Sequence, residues 1–137
     1  IHGAVLVGQI RRIKDIVNDR IAKAKIYNEL LSDIKGIQIP KIKSDAISNY
    51  QTYAVLLDKE GIRDKVIEEM SKRGIQTQIG SNALHTTPYF SDVIKVGNLN
   101  NSYRLFKNLL ALPLHSELTP LDQKRTVDTL EEILRLL

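Results

Sequence analysis

His2, His85 and His115 are the only imidazoles of this chain, and each stands alone. None has a second histidine or a carboxylate three or four residues further on, the spacing that sets two metal ligands on one helix face. His2 and His115 therefore read as structural or surface histidines, and no metal site is expected. His85 differs in its surroundings, Gly80-Ser81-Asn82-Ala83-Leu84-His85-Thr86-Thr87-Pro88-Tyr89-Phe90, which mix hydroxyls, an amide and aromatics after a strand-like stretch. Loops carried by a rigid sheet are where binding residues concentrate, so both ligand contact and pinning of the loop are open to His85. Tyr50 and Tyr53 suit core packing, and a tyrosine at the open end of a strand can also reach a ligand.

Complete enzyme motifs are absent: there is no G-x-G-x-x-G turn, phosphate-binding loop, H-E-x-x-H pair or G-x-S-x-G elbow. The chain has no cysteine, which removes disulfides, thiolate zinc sites, iron–sulfur clusters and cysteine nucleophiles together. No residue stands out for proton transfer. The longest apolar run, Leu109 to Leu114, is far below the roughly 20 residues of a membrane span. The start lacks a basic leader and a cleavage site, and cytoplasm is the default compartment.

The net charge of +4 gathers in the first third, where nine basic residues between Arg11 and Lys43 face four acidic ones. Asp15, Asp19 and Lys23 lie at helical neighbour spacing, which favours a solvated mixed-charge face over a nucleic-acid surface.

Behind these residues stand the elements that must position them. Ile10, Ile13, Val17, Ile21, Ala24, Tyr27 and Leu31 step by three and four, the stripe of a long amphipathic helix ending near Gly36. Gly3 to Gly8 is ambiguous between a buried strand and an all-round apolar helix start. Ile37 to Ile39 alternates, Tyr50 to Leu57 reads as a central strand, Ile62 to Arg73 as a helix capped at Gly74, and Ile75 to Ile79 as a short strand. From Gly80 to Leu99 no period survives, which marks a functional or disordered loop. Asn101 is expected to cap a helix containing Leu105, Phe106, Leu109 and Leu110, with Ala111 to Leu114 as a short edge strand. Thr119, Pro120 and Asp122 announce the last helix, whose stripe is Val127, Leu130, Leu134 and Leu137. The 137 residues suit one domain in which helices pack on a sheet.

In order and spacing these pieces resemble the C-terminal domain of the DegT/StrS-type sugar aminotransferases. Arg20, Ala24 and Tyr27 match R-x-x-x-A-x-x-Y, Ser48 with Tyr53 matches S-x-x-x-x-Y, and Arg73 to Thr77 matches R-G-I-x-T. Gly80 with Ala83-Leu84-His85 and Pro88 matches the loop of one branch, and Leu110 to His115 with Leu118-Thr119 matches the block before the final helix. Asn82 departs from an aromatic, and Gln51 from a histidine.

The resemblance implies an α/β fold (an α+β two-layer sandwich): a small, mostly antiparallel sheet with packed helices, the small domain of the aspartate aminotransferase fold. Residues 1–36 would form a long interdomain helix and 37–137 the sandwich. It implies a larger parent, cytoplasmic and homodimeric, that uses pyridoxal phosphate to transfer an amino group to a nucleotide-linked keto sugar. The substrate would meet His85, Gly80, Ser81, Asn82 and Tyr50. None of the twelve lysines lies in the S-x-H-x-x-K setting of the family's cofactor-bearing lysine, so no cofactor is expected on this chain alone. The chain, which starts at Ile1, is expected to be a piece of a longer protein whose large N-terminal domain holds the cofactor. The rival reading is a stand-alone regulatory or ligand-binding module whose basic helix meets a phosphate-bearing partner. Helix-turn-helix geometry over Ile62 to Leu84 is disfavoured, because Ile75 to Ile79 alternates like a strand.

Overall fold

The computed structural model describes residues 2–91 and 97–137. Ile1, and residues 92–96 within the stretch read as an irregular loop, lie outside it. Helix α1 (His2–Leu31) takes in the ambiguous Gly3 to Gly8 stretch as helix. Its second half carries the predicted stripe into the core, where Ala24, Tyr27 and Leu31 are buried. Its first half stands clear of the described residues, leaving Val5, Leu6, Val7, Ile10 and Ile13 at least half exposed.

A four-stranded sheet follows in the order β1-β2-β4-β3, from β1 (Ile37–Gln38), β2 (Tyr53–Leu57), β3 (Gln78–Ile79) and β4 (Leu109–Leu112). Every pairing is antiparallel. Alternation sorts its faces: Tyr53, Val55 and Leu57 of β2 and Leu110 and Leu112 of β4 point into the core. Beneath them lie α1, α2 (Arg63–Lys72) and α5 (Pro120–Leu136), a two-layer α/β arrangement. β2 is an inner strand, as its apolar end implies.

Two expectations are corrected here. Leu109 and Leu110 belong to β4 and not to the preceding helix α4 (Asn100–Asn108), and β4 is an inner strand between β2 and β3. Pro113 simply follows the last ladder residue, where it interrupts no pairing. The cap of α4 is also displaced, because Asn98 Oδ1 accepts from the Asn100 N–H at 2.9 Å while Asn101 is already helical.

Two strands are shorter than expected: β2 starts at Tyr53 and not at Tyr50, whose φ is +44°, and only Gln78 and Ile79 of the stretch from Ile75 pair as β3. The end of α2 and the start of α5 follow their local signals. Gly74 takes φ +75°, and the N–H groups of Gly74 and Ile75 close on the Ser71 and Met70 carbonyls, a left-handed helix end that seats Ile75 in the core. Thr119 and Asp122 form a reciprocal capping box at the start of α5, with Pro120 in its first turn.

Candidate functional site

Gly80 begins the predicted binding loop at the far end of β3, its N–H donating to the Leu109 carbonyl at 2.9 Å. After it, Leu84–Thr86 form one 3₁₀ turn and Pro88–Ser91 a short helix, α3. Hydroxyls knit the turn: Thr86 Oγ1 donates to the Ala83 carbonyl at 2.7 Å and Thr87 Oγ1 to Leu84 at 2.8 Å. Ala83 is buried beneath them, while His85 is half-buried and its ring makes no hydrogen bond to another described residue. Gly80, Ser81, Asn82 and His85 thus share one end of the sheet. Tyr50 does not join them.

The register separates them. Gly80 lies beside Leu109, whereas Tyr50 precedes Tyr53, which pairs with Leu112 at the opposite end of β4. Four strand residues span roughly 10 Å. Tyr50 has φ +44°, unusual for an aromatic residue. Its ring stacks on Tyr53, which stacks in turn on Tyr27 at 5.0 Å.

Arg20 holds that end of the domain. Its Nη1 donates to the Tyr50 and Gln51 carbonyls, both at 3.0 Å, and to Leu114 at 3.4 Å. One turn on, Lys23 Nζ pairs with Asp19 at 2.7 Å and donates to the Ser116 carbonyl at 2.5 Å. Tyr27 then donates its hydroxyl to the Pro113 carbonyl at 2.9 Å. The arginine, alanine and tyrosine of the helix motif are therefore a seam: Ala24 allows close approach, and its neighbours bind the carbonyls that follow β4.

A cavity of about 590 Å³ opens at this same end, between the start of β2, the segment from Gly74 to Gln78 and the first turns of α5. Its lining includes Gln51, Thr52, Gln76, Gln78 and His115. Sequence reading did not assemble this set, because its members sit far apart along the chain and only the alternation of Gln76 and Gln78 hints at a shared face.

No lysine lines the cavity, and the buried Lys23 is committed to Asp19 and Ser116. No cluster of metal-binding side chains occurs among the described residues. None of the described helices is long and apolar enough to cross a membrane.

Residues 1–131 match the model of the DegT/DnrJ/EryC1/StrS aminotransferase family. The chain belongs to this family. A curated relative from Saccharopolyspora spinosa, dTDP-4-dehydro-2,3,6-trideoxy-D-glucose 4-aminotransferase, is 31% identical over 125 residues, which are 90% of this chain and 31% of that protein. Among solved structures, the aminotransferase TlmJ from Streptoalloteichus hindustanus superposes with a TM-score of 0.84 at 25% identity, over 95% of this chain and 35% of its own. Helicobacter pylori PseC, an aminotransferase of pseudoaminic acid biosynthesis, has the same fold at 15% identity and a TM-score of 0.83, over 96% of this chain and 36% of its own. The chain spans about a third of the length of these DegT-family relatives.

One predicted site residue has a packing role of its own. A Cβ at Gly80 would lie 2.6 Å from Leu109 Cγ and 3.1 Å from Leu109 Cβ, too close for the leucine to yield by moving its tip. Gly80→Ala is expected to cost about 1–3 kcal/mol through overpacking. Leu109→Ala in the same chain should relieve most of that loss, which a double-mutant cycle in urea measures.

Proposed function

We propose that this chain is the small, C-terminal domain of a pyridoxal-phosphate-dependent aminotransferase acting on a nucleotide-linked keto sugar. The observation that carries the reading is the family match across nearly the whole chain, which reaches only a third of its relatives' length. The cofactor supplies the electron sink for amino transfer, and protein groups orient the substrate against it. Residues 1–36 would be the interdomain helix and 37–137 the sandwich. The part of this chain is to wall the substrate site with Gly80, Ser81, Asn82 and His85, while Tyr50 shapes the other end of the domain.

In the full-length enzyme, His85→Ala is expected to lower kcat/KM for the sugar by at least about tenfold, the weight of one hydrogen bond made in the transition state. Its melting temperature should stay near that of the wild type. A destabilised variant with unchanged turnover per folded molecule would assign His85 to loop structure instead.

The exposed first half of α1 needs a cover, either the large domain or a second copy in a homodimer. Val5, Leu6, Val7 and Ile10 offer apolar area on more than one side, and burial returns about 25 cal/mol for each Å². This chain by itself should self-associate there, and the double variant Val5→Lys, Val7→Lys should be monomeric by sedimentation. A monomeric wild type at high concentration would contradict this. A phosphate-seeking role for the helix finds no support, since its buried lysine is paired and its basic residues alternate with acidic ones.

A further inference from the structure

We propose that the cavity beside Gln51 and Gln76 is a second ligand site, separate from the Gly80 loop, and that it takes an uncharged polyhydroxyl ligand of the size of a monosaccharide ring. A volume of about 590 Å³ accommodates such a ring. Its chemistry narrows the class. Gln51, Gln76, Gln78 and His115 line it; the three glutamine amides make no hydrogen bond to another described residue, and His115 interacts electrostatically with Asp122. Amides both donate and accept, which matches hydroxyl groups that do the same.

The two full charges at the rim are opposite in sign, and each is tied down. Arg125 Nη2 donates to the Arg73 carbonyl at 2.9 Å, and Asp122 Oδ2 accepts from the Thr119 hydroxyl at 2.6 Å. A phosphate or a dicarboxylate would find no uncompensated cation here, and no tyrosine, phenylalanine or tryptophan lines the cavity to stack on a nucleobase. The apolar part of the lining, Ile75, Leu112, Pro113 and Leu114 among it, suits the C–H face of a sugar.

The wall is also held in advance of binding. Arg20 fixes the carbonyls of Tyr50, Gln51 and Leu114, and Tyr27 fixes that of Pro113, so the segments bearing Gln51 and His115 lose little freedom when a ligand arrives. The left-handed backbone at Tyr50 is part of this arrangement, a strained turn kept by the guanidinium that grips its carbonyl.

The test is a titration of the ¹⁵N-labelled chain with D-glucose, followed through the side-chain amide signals of the glutamines, with inorganic phosphate and succinate as charged probes. Saturable shifts at Gln51, Gln76 and Gln78 with glucose alone, in the millimolar range, are expected. The exposed pair Gln76→Ala, Gln78→Ala should weaken binding by about tenfold or more, the effect of losing an amide hydrogen bond, with the melting temperature unchanged. If that pair disturbs the fold, Gln51→Ala serves in its place. Shifts that never saturate, saturation by phosphate or succinate in place of glucose, or equal glucose affinity in the variant would each overturn the proposal. Sugar binding here needs no amino transfer, and the His85 result needs no sugar in this cavity, so either reading can fail without the other.

Discussion

Borohydride reduction of this chain after incubation with pyridoxal phosphate is expected to fix the cofactor on no single lysine. The reason is local chemistry. A lysine that attaches an aldehyde must be both accessible to it and held against the groups that orient the ring, and it must give up its proton at working pH. The buried Lys23 is clamped between Asp19 and the Ser116 carbonyl, so its amine is not free to meet an aldehyde. Lys72, bonded to Glu68 and Glu69 at the surface, is pushed up to about 12, further from nucleophilic use. Peptide mapping should therefore find only weak, scattered labelling of surface lysines, and amino transfer from glutamate to any keto sugar should be absent. A single lysine labelled stoichiometrically, with a protein-bound absorbance band, would refute the division of labour between this domain and the rest of the enzyme.

Tyr27→Ala is expected to remove a large share of the stability of the domain, about 3–5 kcal/mol by analogy with other buried aromatics. Small domains have only about 5–15 kcal/mol in total. Tyr27 is fully buried, stacks on Tyr53 at 5.0 Å and donates to the Pro113 carbonyl at 2.9 Å, so its loss empties the core and leaves that carbonyl without a partner. Tyr27→Phe keeps the ring and should cost only about 1–3 kcal/mol, the penalty of the orphaned carbonyl. The chain has no tryptophan, so near-ultraviolet circular dichroism in urea reads the tyrosine stack directly. A Tyr27→Ala variant within 1 kcal/mol of the wild type, a limit set at about the scatter of surface substitutions, would mean that α1 is not welded to the sheet.

The same stack makes the fold sensitive to alkali. Burial raises the Tyr27 hydroxyl from 10.0 to about 12, and raises that of Tyr53 as well. Unfolding lets both ionise sooner, so the stability present below pH 10 is lost as the pH climbs from 10 towards 12.

Much of this protein could be read along the chain, because the signals involved are local. The stripe from Val17 to Leu31, the apolar run that makes β2 an inner strand, the glycine ending α2 and the box of Thr119 with Asp122 each involve residues within a few positions of one another. The family resemblance was legible for a related reason: its motifs lie at the seams, where Arg20 and Tyr27 bind the carbonyls that precede β2 and follow β4 and thereby constrain residue type. Pairing over long separations was not legible. Leu109 and Leu110 fit a helix stripe as well as a strand, and only the vacant edge of β2 draws them into a sheet that β3 then extends. The grouping of site residues was likewise decided by register, since antiparallel pairing sends Gly80 to one end of β4 and Tyr50 to the other. The cavity with Gln51, Gln76 and His115 exists only because the ends of three separate segments converge there, a juxtaposition that has no counterpart in the spacing of those residues along the chain.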